Sequence, residues 1–336
     1  MTELLEEAMQ AFEYVRVTTV DEAVARATAD PAASYLAGGT TQIDLMKDGV
    51  LGPHQLIDIT RLPLRGITQD AGRLRIGALT SMEEVMADPI VMDRLPMVHQ
   101  ALLLGASVQL RNMATIGGNL LQRTRCRYFR DPACRCNKRE PVSGCSALQG
   151  FHRMHAILGT SQHCIATHAS DLAVALIALD AVIHTRGLGG ERAIPFADFY
   201  VLPGNTPHIE HVLMHGELIT AVEVPLLPAG TRSGYLKVRD RASYEFALTS
   251  VAVALMIENG VIHEARLGLG GVATVPWRLR TAEHILRGAH PDREIFRTAA
   301  EAALAEATPL RDNAFKVELA KRTIVRALVT MLEAEV

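Results

Sequence analysis

The sequence predicts an α+β fold in which a two-part N-terminal region precedes a C-terminal domain of antiparallel sheet and helices. Strand-like and helix-like segments alternate through the first third of the chain, which is typical of a small α/β unit joined to a larger one. Prolines interrupt the pattern at Pro225 and Pro228. Beyond them, residues 233–272 alternate at strand period and three amphipathic segments close the chain. At 336 residues, the chain is long enough for two or three packed cores.

The first elements follow one another closely. Residues 11–17 read as a strand, and an amphipathic helix follows with Thr19 or Asp21 as its N-cap. The next strand ends at residues 35–37 and runs through a Gly-Gly-Thr-Thr turn into a second helix. Further strands are predicted at 54–60 and 72–79.

The middle of the chain adds helices and a long strand. Residues 81–106 predict one or two helices, 172–187 a buried helix that enters a strand, and 216–227 a strand that ends at the prolines. This pattern divides the chain into a lead-in at 1–8, a domain at 9–228 with subdomains of about 9–62 and 63–228, and a C-terminal domain at 229–336.

Composition excludes several classes of function. The net charge is −3, so the chain carries no basic excess to neutralise a nucleic-acid backbone. No apolar run approaches the roughly 20 residues that a membrane span needs. The first residues are acidic and lack the basic and apolar regions of a signal peptide. The sequence therefore predicts a soluble chain without its own export signal.

All five cysteines fall within residues 126–164, four of them in the segment RTRCRYFRDPACRCNKREPVSGC. Cysteines that are spread through a chain to form disulfides would rarely cluster so tightly. A structural Zn²⁺ site is an alternative, although it usually uses paired C-x₂₋₄-C ligands, which the segment lacks. Disulfides suit small secreted chains better than a chain with a large core and an odd cysteine count. A catalytic pair of Cys164 with His163 or His168 is a further alternative without specific support.

Two glycine-rich turns are candidates for anion binding. They are AGGTT at 37–41 and ATIGGN at 114–119, and each follows or precedes an apolar segment. Backbone N–H groups can approach a phosphate closely where no Cβ intervenes. Neither turn has the G-x-G-x-x-G or Walker pattern, and a single Gly-Gly pair is more often a tight turn. Together, the two turns suit the two ends of one pyrophosphate.

These segments, in this order, resemble a known family. The resemblance covers nearly the whole chain and includes AGGTTQIDLMK, RNMATIGGNL, SDLAVALIALDAVI and YLKVRDRASYEFALTSVAVAL. The family is the FAD-binding medium subunits of the xanthine dehydrogenase family of molybdenum hydroxylases. Within it, the cysteine pattern is similar to that of the flavoprotein subunits of bacterial periplasmic aldehyde oxidoreductases. The resemblance implies a two-part FAD-binding domain of the vanillyl-alcohol-oxidase/PCMH type, followed by a CO dehydrogenase flavoprotein-like C-terminal domain.

The resemblance also implies which residues contact FAD. The first turn would wrap the pyrophosphate, the second would lie near the flavin and phosphates, and Asp171 would bond ribityl or ribose hydroxyls. Each residue has a structural interpretation as well: Asp171 could cap a helix, Lys237 could be a solvated strand residue, and the apolar pair could be core. The full set is Ala37, Gly38, Gly39, Thr40, Thr41, Gln42, Ala114, Thr115, Gly118, Asn119, Ser170, Asp171, Leu218, Ile219 and Lys237.

The resemblance assigns four cysteines to a [4Fe–4S] cluster in a loop at about 122–166. They are Cys126, Cys136, Cys145 and Cys164. Cys134 lies two residues before Cys136 and could replace it, but the CNKR segment that matches the family begins at Cys136. Whether such a cluster relays electrons or fastens the loop is left open by the sequence.

The function implied is electron transfer by a subunit without catalytic residues of its own. In the family, a large subunit with a molybdenum cofactor oxidises the substrate, and a small subunit passes electrons through two [2Fe–2S] clusters to FAD. FAD then passes the electrons to an external acceptor. We expect a heterotrimer with these partners, in the periplasm by co-export of the folded complex, or alternatively in the cytoplasm. An alternative function of a different class is that of a non-enzymatic binding or assembly module stabilised by zinc.

Overall fold

In the computed structural model, residues 9–333 are described; the predicted lead-in at 1–8 lies outside them. The N-terminal unit is a three-stranded parallel sheet with the strand order β1-β3-β2. Its helix α1 begins after Thr19, whose side chain accepts from the N–H of Glu22, so the predicted N-cap is confirmed. The unit consists of β1 (Glu13–Arg16), α1 (Val20–Ala29), β2 (Ala33–Leu36), α2 (Gln42–Lys47) and β3 (Gln55–Asp58).

A five-stranded antiparallel sheet forms the second unit, in the order β4-β5-β8-β6-β7. Its strands are β4 (Ile67–Asp70), β5 (Arg73–Gly77), β6 (Val182–Gly187), β7 (Gly190–Pro195) and β8 (Leu218–Pro225). The helices that pack against this sheet or carry its connections are α3 (Met82–Met86), α4 (Pro89–Arg94), α5 (Pro96–Leu103), α6 (Val108–Met113), α7 (Ile116–Leu120), α8 (Arg127–Arg130) and α9 (Asp171–Ala178). A core of mostly apolar side chains packs between them.

The segment at 81–106 forms three helices, so the prediction of one or two was wrong. Pro89 and Pro96 each begin a new helix, because a proline has no N–H to donate and is accommodated only in the first turn. Asp88 strengthens the first break, since its carboxylate accepts from the N–H groups of Ile90 and Val91.

The C-terminal domain is a four-stranded antiparallel sheet in the order β12-β11-β10-β9, covered by three helices. The two-domain α+β prediction and the three closing helices are confirmed, while the exact division of the chain stays a prediction. No helix among residues 9–333 is both long and apolar enough to cross a bilayer. The elements are β9 (Arg232–Val238), β10 (Thr249–Glu258), β11 (Val261–Gly270), β12 (Trp277–Arg278), α10 (Arg280–Leu286), α11 (Arg293–Ala303) and α12 (Phe315–Glu333).

Candidate functional site

A cavity of about 750 Å³ lies where the N-terminal unit, the five-stranded sheet and the C-terminal domain meet. Its volume is within the range of sites that enclose a small molecule or cofactor. Fourteen of the fifteen residues predicted to contact FAD line it, although they come from distant parts of the chain. They are Ala37, Gly38, Gly39, Thr40, Thr41, Gln42, Ala114, Thr115, Gly118, Asn119, Asp171, Leu218, Ile219 and Lys237.

The first glycine-rich turn presents a row of free donors to the cavity. None of the described hydrogen bonds is donated by the backbone N–H groups of residues 38–42. Gly39 has φ +71°, a left-handed conformation that suits glycine. Beside it, the buried Nε2 of Gln42 has no hydrogen-bond partner in the described chain. Successive unpaired N–H groups in such a turn form a concave site for an anion.

The second turn packs directly against the first. A Cβ on Gly38 would lie 1.9 Å from the carbonyl oxygen of Met113, so Gly38 is needed for contact between the two turns rather than for approach of a ligand. Gly118 differs, because its Cβ would meet only the Thr115 hydroxyl, at 3.0 Å. That hydroxyl accepts from the N–H of Gly118 as the N-cap of α7. A side chain at Gly38 would therefore collide with the backbone of the second turn, whereas a side chain at Gly118 would meet no backbone atom.

Ser170 is the predicted contact that does not line the cavity. It is 2% exposed, and its hydroxyl caps α9 by accepting from the N–H of Ala173. The same hydroxyl lies 2.6 Å from Oδ1 of Asn119, to which it donates. Ser170 therefore holds Asn119 in place on the cavity wall, and its direct contact with a ligand stays a prediction.

Asp171 and Lys237 form a buried ion pair across the two domains. Nζ of Lys237 lies 2.7 Å from one carboxylate oxygen of Asp171, and the hydroxyl of Tyr235 donates to the other at 2.6 Å. Lys237 also donates to the carbonyl oxygen of Leu104 at 3.1 Å. The structural interpretations of these two residues are wrong. Lys237 is not solvated, and the cap of α9 is Ser170 rather than Asp171.

Sequence reasoning missed the basic and aromatic residues at one end of the cavity. Arg123, Arg125 and Arg241 line it together with Tyr244 and Phe246. The guanidinium of Arg125 lies 4.9 Å from the ring centroid of Phe246, and burial lowers its pKa to about 10. The run of arginines around Cys126 was the available signal, whereas nothing in the sequence places the 241–246 segment beside it.

A second, small cavity collects the predicted cluster ligands. Cys126, Cys136, Cys145 and Cys164 all line it, and Cys134 does not. All five thiols are free, and Cys134 lies 3.3 Å from a carboxylate oxygen of Asp131 instead. The four cysteines lie at four separate positions in the loop, and the fold brings their side chains together around one cavity.

Burial disfavours the charged form of these thiols. It raises the pKa of Cys126 to about 12, and it raises the pKa values of Cys145 and Cys164 above the ordinary value. A bound metal cation would favour the ionised form of these thiols, because metal ligation deprotonates cysteine. Nε2 of His155 lies 3.1 Å from Sγ of Cys126 and can act as a donor to it.

Side-chain hydrogen bonds hold the loop around this cavity. Asn137 accepts from the N–H of Gly144 at 2.8 Å and donates to the carbonyl oxygen of His163 at 3.0 Å, which joins the stretches that carry the ligands. Cys136 and Cys145 face each other in an antiparallel bridge. Arg139 donates to four carbonyl oxygens, those of Tyr128, Phe129, Pro132 and Cys134.

No three His, Cys, Asp or Glu side chains in residues 9–333 converge closely enough to hold a single metal ion. Ligands of one Zn²⁺ ion lie about 4 Å apart, given zinc–sulfur bonds of about 2.3 Å. Thiolates that each bind a different iron atom of a cluster lie farther apart. Four cysteines around one cavity match the four thiolates that commonly hold an iron–sulfur cluster.

Comparison with known proteins decides the family. Residues 10–227 match the model of the FAD binding domain in molybdopterin dehydrogenase, and residues 234–331 match that of the CO dehydrogenase flavoprotein C-terminal domain. The chain belongs to the FAD-binding subunits of the molybdenum hydroxylases. It is therefore a flavoprotein subunit of an oxidoreductase, and the sequence predictions of family, FAD and enzyme class are confirmed.

Two relatives show how far the similarity of this FAD-binding subunit extends. The chain is 49% identical to the aldehyde oxidoreductase FAD-binding subunit PaoB of Escherichia coli K12, over 95% of this chain and 98% of that protein. It is 29% identical to the glyceraldehyde dehydrogenase medium chain of Sulfolobus acidocaldarius, over 90% of each chain. The non-enzymatic alternative has no support in this comparison.

Solved structures share the fold of the FAD-binding subunit. The carbon monoxide dehydrogenase of Hydrogenophaga pseudoflava contains a chain that superposes with a TM-score of 0.77 at 28% sequence identity. The match covers 97% of this chain and 98% of that one. The large cavity suits FAD: its row of free N–H groups can hold phosphates, and Leu218 and Ile219 on β8 offer an apolar wall to a ring.

Proposed function

We propose that the chain carries FAD and a [4Fe–4S] cluster and transfers electrons in a molybdenum-dependent aldehyde oxidoreductase. The observation that carries the proposal is the adjacency of the two cavities. Arg125 lines the large cavity, and the next residue, Cys126, lines the cysteine cavity. Their Cα atoms are about 3.8 Å apart across a trans peptide. This closeness supports a role of the cluster in electron transfer with FAD, rather than only a structural role in the loop.

FAD would lie in the large cavity with its phosphates at the two turns. The N–H groups of residues 38–42 are the donors for the pyrophosphate, and Gly118 and Asn119 complete the site. Leu218 and Ile219 would lie beside the ring, Lys237 would reach its polar edge, and Asp171 would bond the ribityl or ribose hydroxyls. When bound, FAD can accept electrons singly and deliver them as pairs.

The cluster ligands would be Cys126, Cys136, Cys145 and Cys164. The choice of Cys136 over Cys134 is supported by its burial and by its position on the cavity wall. Cys134 lies outside that cavity, with its thiol beside Asp131.

The partners in this proposal are a large subunit with the molybdenum cofactor and a small subunit with two [2Fe–2S] clusters. Electrons would enter from the small subunit and leave to an external acceptor, and the aldehyde would be chosen in the large subunit. The similarity to the PaoB subunit of an aldehyde oxidoreductase supports aldehydes as substrates. Residence in the periplasm by co-export, with the cytoplasm as the alternative, rests on the sequence resemblance alone.

The ligand set is tested by single serine substitutions in anaerobically purified protein. Cys126→Ser, Cys136→Ser, Cys145→Ser and Cys164→Ser should each lower iron and acid-labile sulfide by half or more, while released FAD stays near one per chain. Cys134→Ser is the matched control and should keep both. Iron retained in Cys136→Ser but lost in Cys134→Ser would reverse the assignment, and zinc in place of iron and sulfide would reject the cluster.

A further inference from the structure

Three charged side chains form a largely buried chain between the two cavities. Nζ of Lys138 lies 2.6 Å from one carboxylate oxygen of Glu210 and 3.1 Å from the carbonyl oxygen of Pro207. Arg123 forms an ion pair with the other oxygen of Glu210. The side chains of Lys138, Glu210 and Arg123 are 12%, 23% and 24% exposed. We call Arg123, Glu210 and Lys138 the buried triad.

The buried triad has a net positive charge. Burial alone would raise the pKa of Glu210, but Arg123 and Lys138 outweigh it and keep the pKa below its ordinary value. Glu210 is therefore ionised at neutral pH and carries one negative charge against two positive ones. His211, the neighbour of Glu210, contributes no charge at neutral pH because burial lowers its pKa.

The three members of the triad occupy different positions relative to the two cavities. Lys138 follows Cys136 by two residues and lines the cysteine cavity with Cys136 and Cys164. Glu210 lies outside that cavity, on the wall of another small space that Lys138 and Cys164 also line. Arg123 lines the large cavity. The cation of the triad at the cysteine cavity is thus Lys138.

We propose that the buried triad sets the reduction potential of the cysteine-bound cluster, with Lys138 raising it and Glu210 lowering it. This inference rests on the proposed [4Fe–4S] cluster. Four thiolates give such a cluster a net negative charge, and accepting one electron adds one more without making or breaking a bond. A cation held nearby in a weakly screened interior stabilises the reduced form more than the oxidised form. A nearby carboxylate has the opposite effect.

Opposite shifts in the midpoint potential of the cluster would distinguish this electrostatic role of the triad from a structural role. Lys138→Met removes the positive charge and should lower the midpoint potential, whereas Glu210→Gln removes the negative charge and should raise it. If the triad only held the loop in place, both substitutions would loosen the site alike and would lower iron content together. Lys138→Arg keeps the charge and should keep the potential of the unaltered protein.

The experiment is a redox titration of the purified protein, monitored by electron paramagnetic resonance, with iron and sulfide measured on the same samples. Arg75→Met is the control, because Arg75 is exposed on β5 and forms no ion pair in the described chain. Equal potentials in Lys138→Met and Glu210→Gln, or shifts of the same sign, would overturn the proposal. Loss of iron from both, with iron kept in Lys138→Arg, would make the triad a structural support and overturn it too. Unaltered protein without iron or sulfide would instead reject the cluster itself.

Discussion

At the scale of residues, the glycines of the two turns serve different purposes. Gly38 lets two backbone segments touch, Gly39 supplies a left-handed turn, and Gly118 leaves the cavity wall open. A substitution at Gly38 or Gly39 would therefore disturb the fold as well as a ligand site. Gly118 gives the cleaner test of FAD binding.

We expect Gly118→Val to weaken FAD binding at least tenfold, or by about 1.4 kcal/mol. The added side chain would occupy the cavity wall beside Thr115 and displace the phosphates from the N–H groups. Released FAD per chain, with iron measured in parallel, gives the result. Gly189→Val is the matched control, since a Cβ there meets nothing within 4 Å. Full FAD content in Gly118→Val would remove this turn from the site.

Asp58 makes the stability of the N-terminal unit sensitive to acid. Burial would raise its pKa, but hydrogen bonds from Thr60, Tyr14 and Arg16 outweigh burial and hold the pKa well below its ordinary value. A carboxylate with a lowered pKa stabilises the folded state above its unfolded pKa of about 3.9. That contribution is lost as the pH falls below this value.

We therefore expect Asp58→Asn to lower the free energy of unfolding by about 2 kcal/mol at pH 7. The difference from the unaltered protein should shrink as the pH falls below about 4. Urea unfolding at several pH values measures it. Asp70→Asn serves as the control, because Asp70 is exposed and accepts no described side-chain hydrogen bond. A difference that is constant with pH would show that Asp58 acts through packing rather than charge.

At the scale of elements, the cysteine loop has little regular structure to support it. Between residues 122 and 166 it contains the four-residue helix α8 and the bridge of Cys136 with Cys145. Side-chain hydrogen bonds hold the loop in place of the regular backbone hydrogen bonds of helices and strands. Asn137 is central, because it is 5% exposed and joins the segments that carry Cys136, Cys145 and Cys164.

Asn137→Ala should reduce iron and sulfide content and lower the free energy of unfolding by about 1–3 kcal/mol. The substitution leaves the N–H of Gly144 and the carbonyl oxygen of His163 without their partner. Iron analysis and thermal unfolding of the isolated chain measure the two effects. Asn205→Ala, on an exposed loop, should change neither. Normal iron content in Asn137→Ala would show that cluster binding alone shapes the loop.

The sequence predicts where helices and strands lie better than it predicts where one helix ends and the next begins. Apolar periodicity located the strand of 216–227 and the buried helix before β6, because both are long and end at turns. At least one of the breaks at Pro89 and Pro96 was missed, because apolar residues continue on both sides of each proline. The arginine and aromatic end of the cavity was missed because the 241–246 segment reaches it only through the C-terminal domain.

At the scale of the whole molecule, the two domains share one cavity. Lys237 and Arg241 come from the C-terminal domain, whereas the glycine-rich turns come from the N-terminal domain. The Asp171–Lys237 pair fastens them together at 2.7 Å. FAD in this cavity would thus contact both domains, and the cysteine loop lies beside it, because Arg123 and Arg125 of the loop line the cavity. In the proposed function, partner subunits would supply the substrate site and the electrons, and this chain would pass the electrons on.

The final prediction concerns the electron acceptor of the assembled complex. The sequence contains no G-x-G-x-x-G turn for a nicotinamide dinucleotide, and the large cavity is already assigned to FAD. We expect the three co-expressed subunits to elute as one heterotrimer and to reduce a dye or quinone in the presence of an aromatic aldehyde, with little NADH formed from NAD⁺. Removal of FAD should abolish dye reduction.

Each arm of this assay tests a different step. The Gly118→Val complex, which should assemble with less FAD, is the matched control for chemical removal of the flavin. Robust NADH formation would overturn the choice of acceptor while leaving the flavoprotein assignment intact. Unchanged dye reduction without FAD would mean that electrons leave from an iron–sulfur centre. Loss of dye reduction in a flavin-free Cys126→Ser complex would then place the exit at the cysteine loop rather than at the [2Fe–2S] clusters of the small subunit.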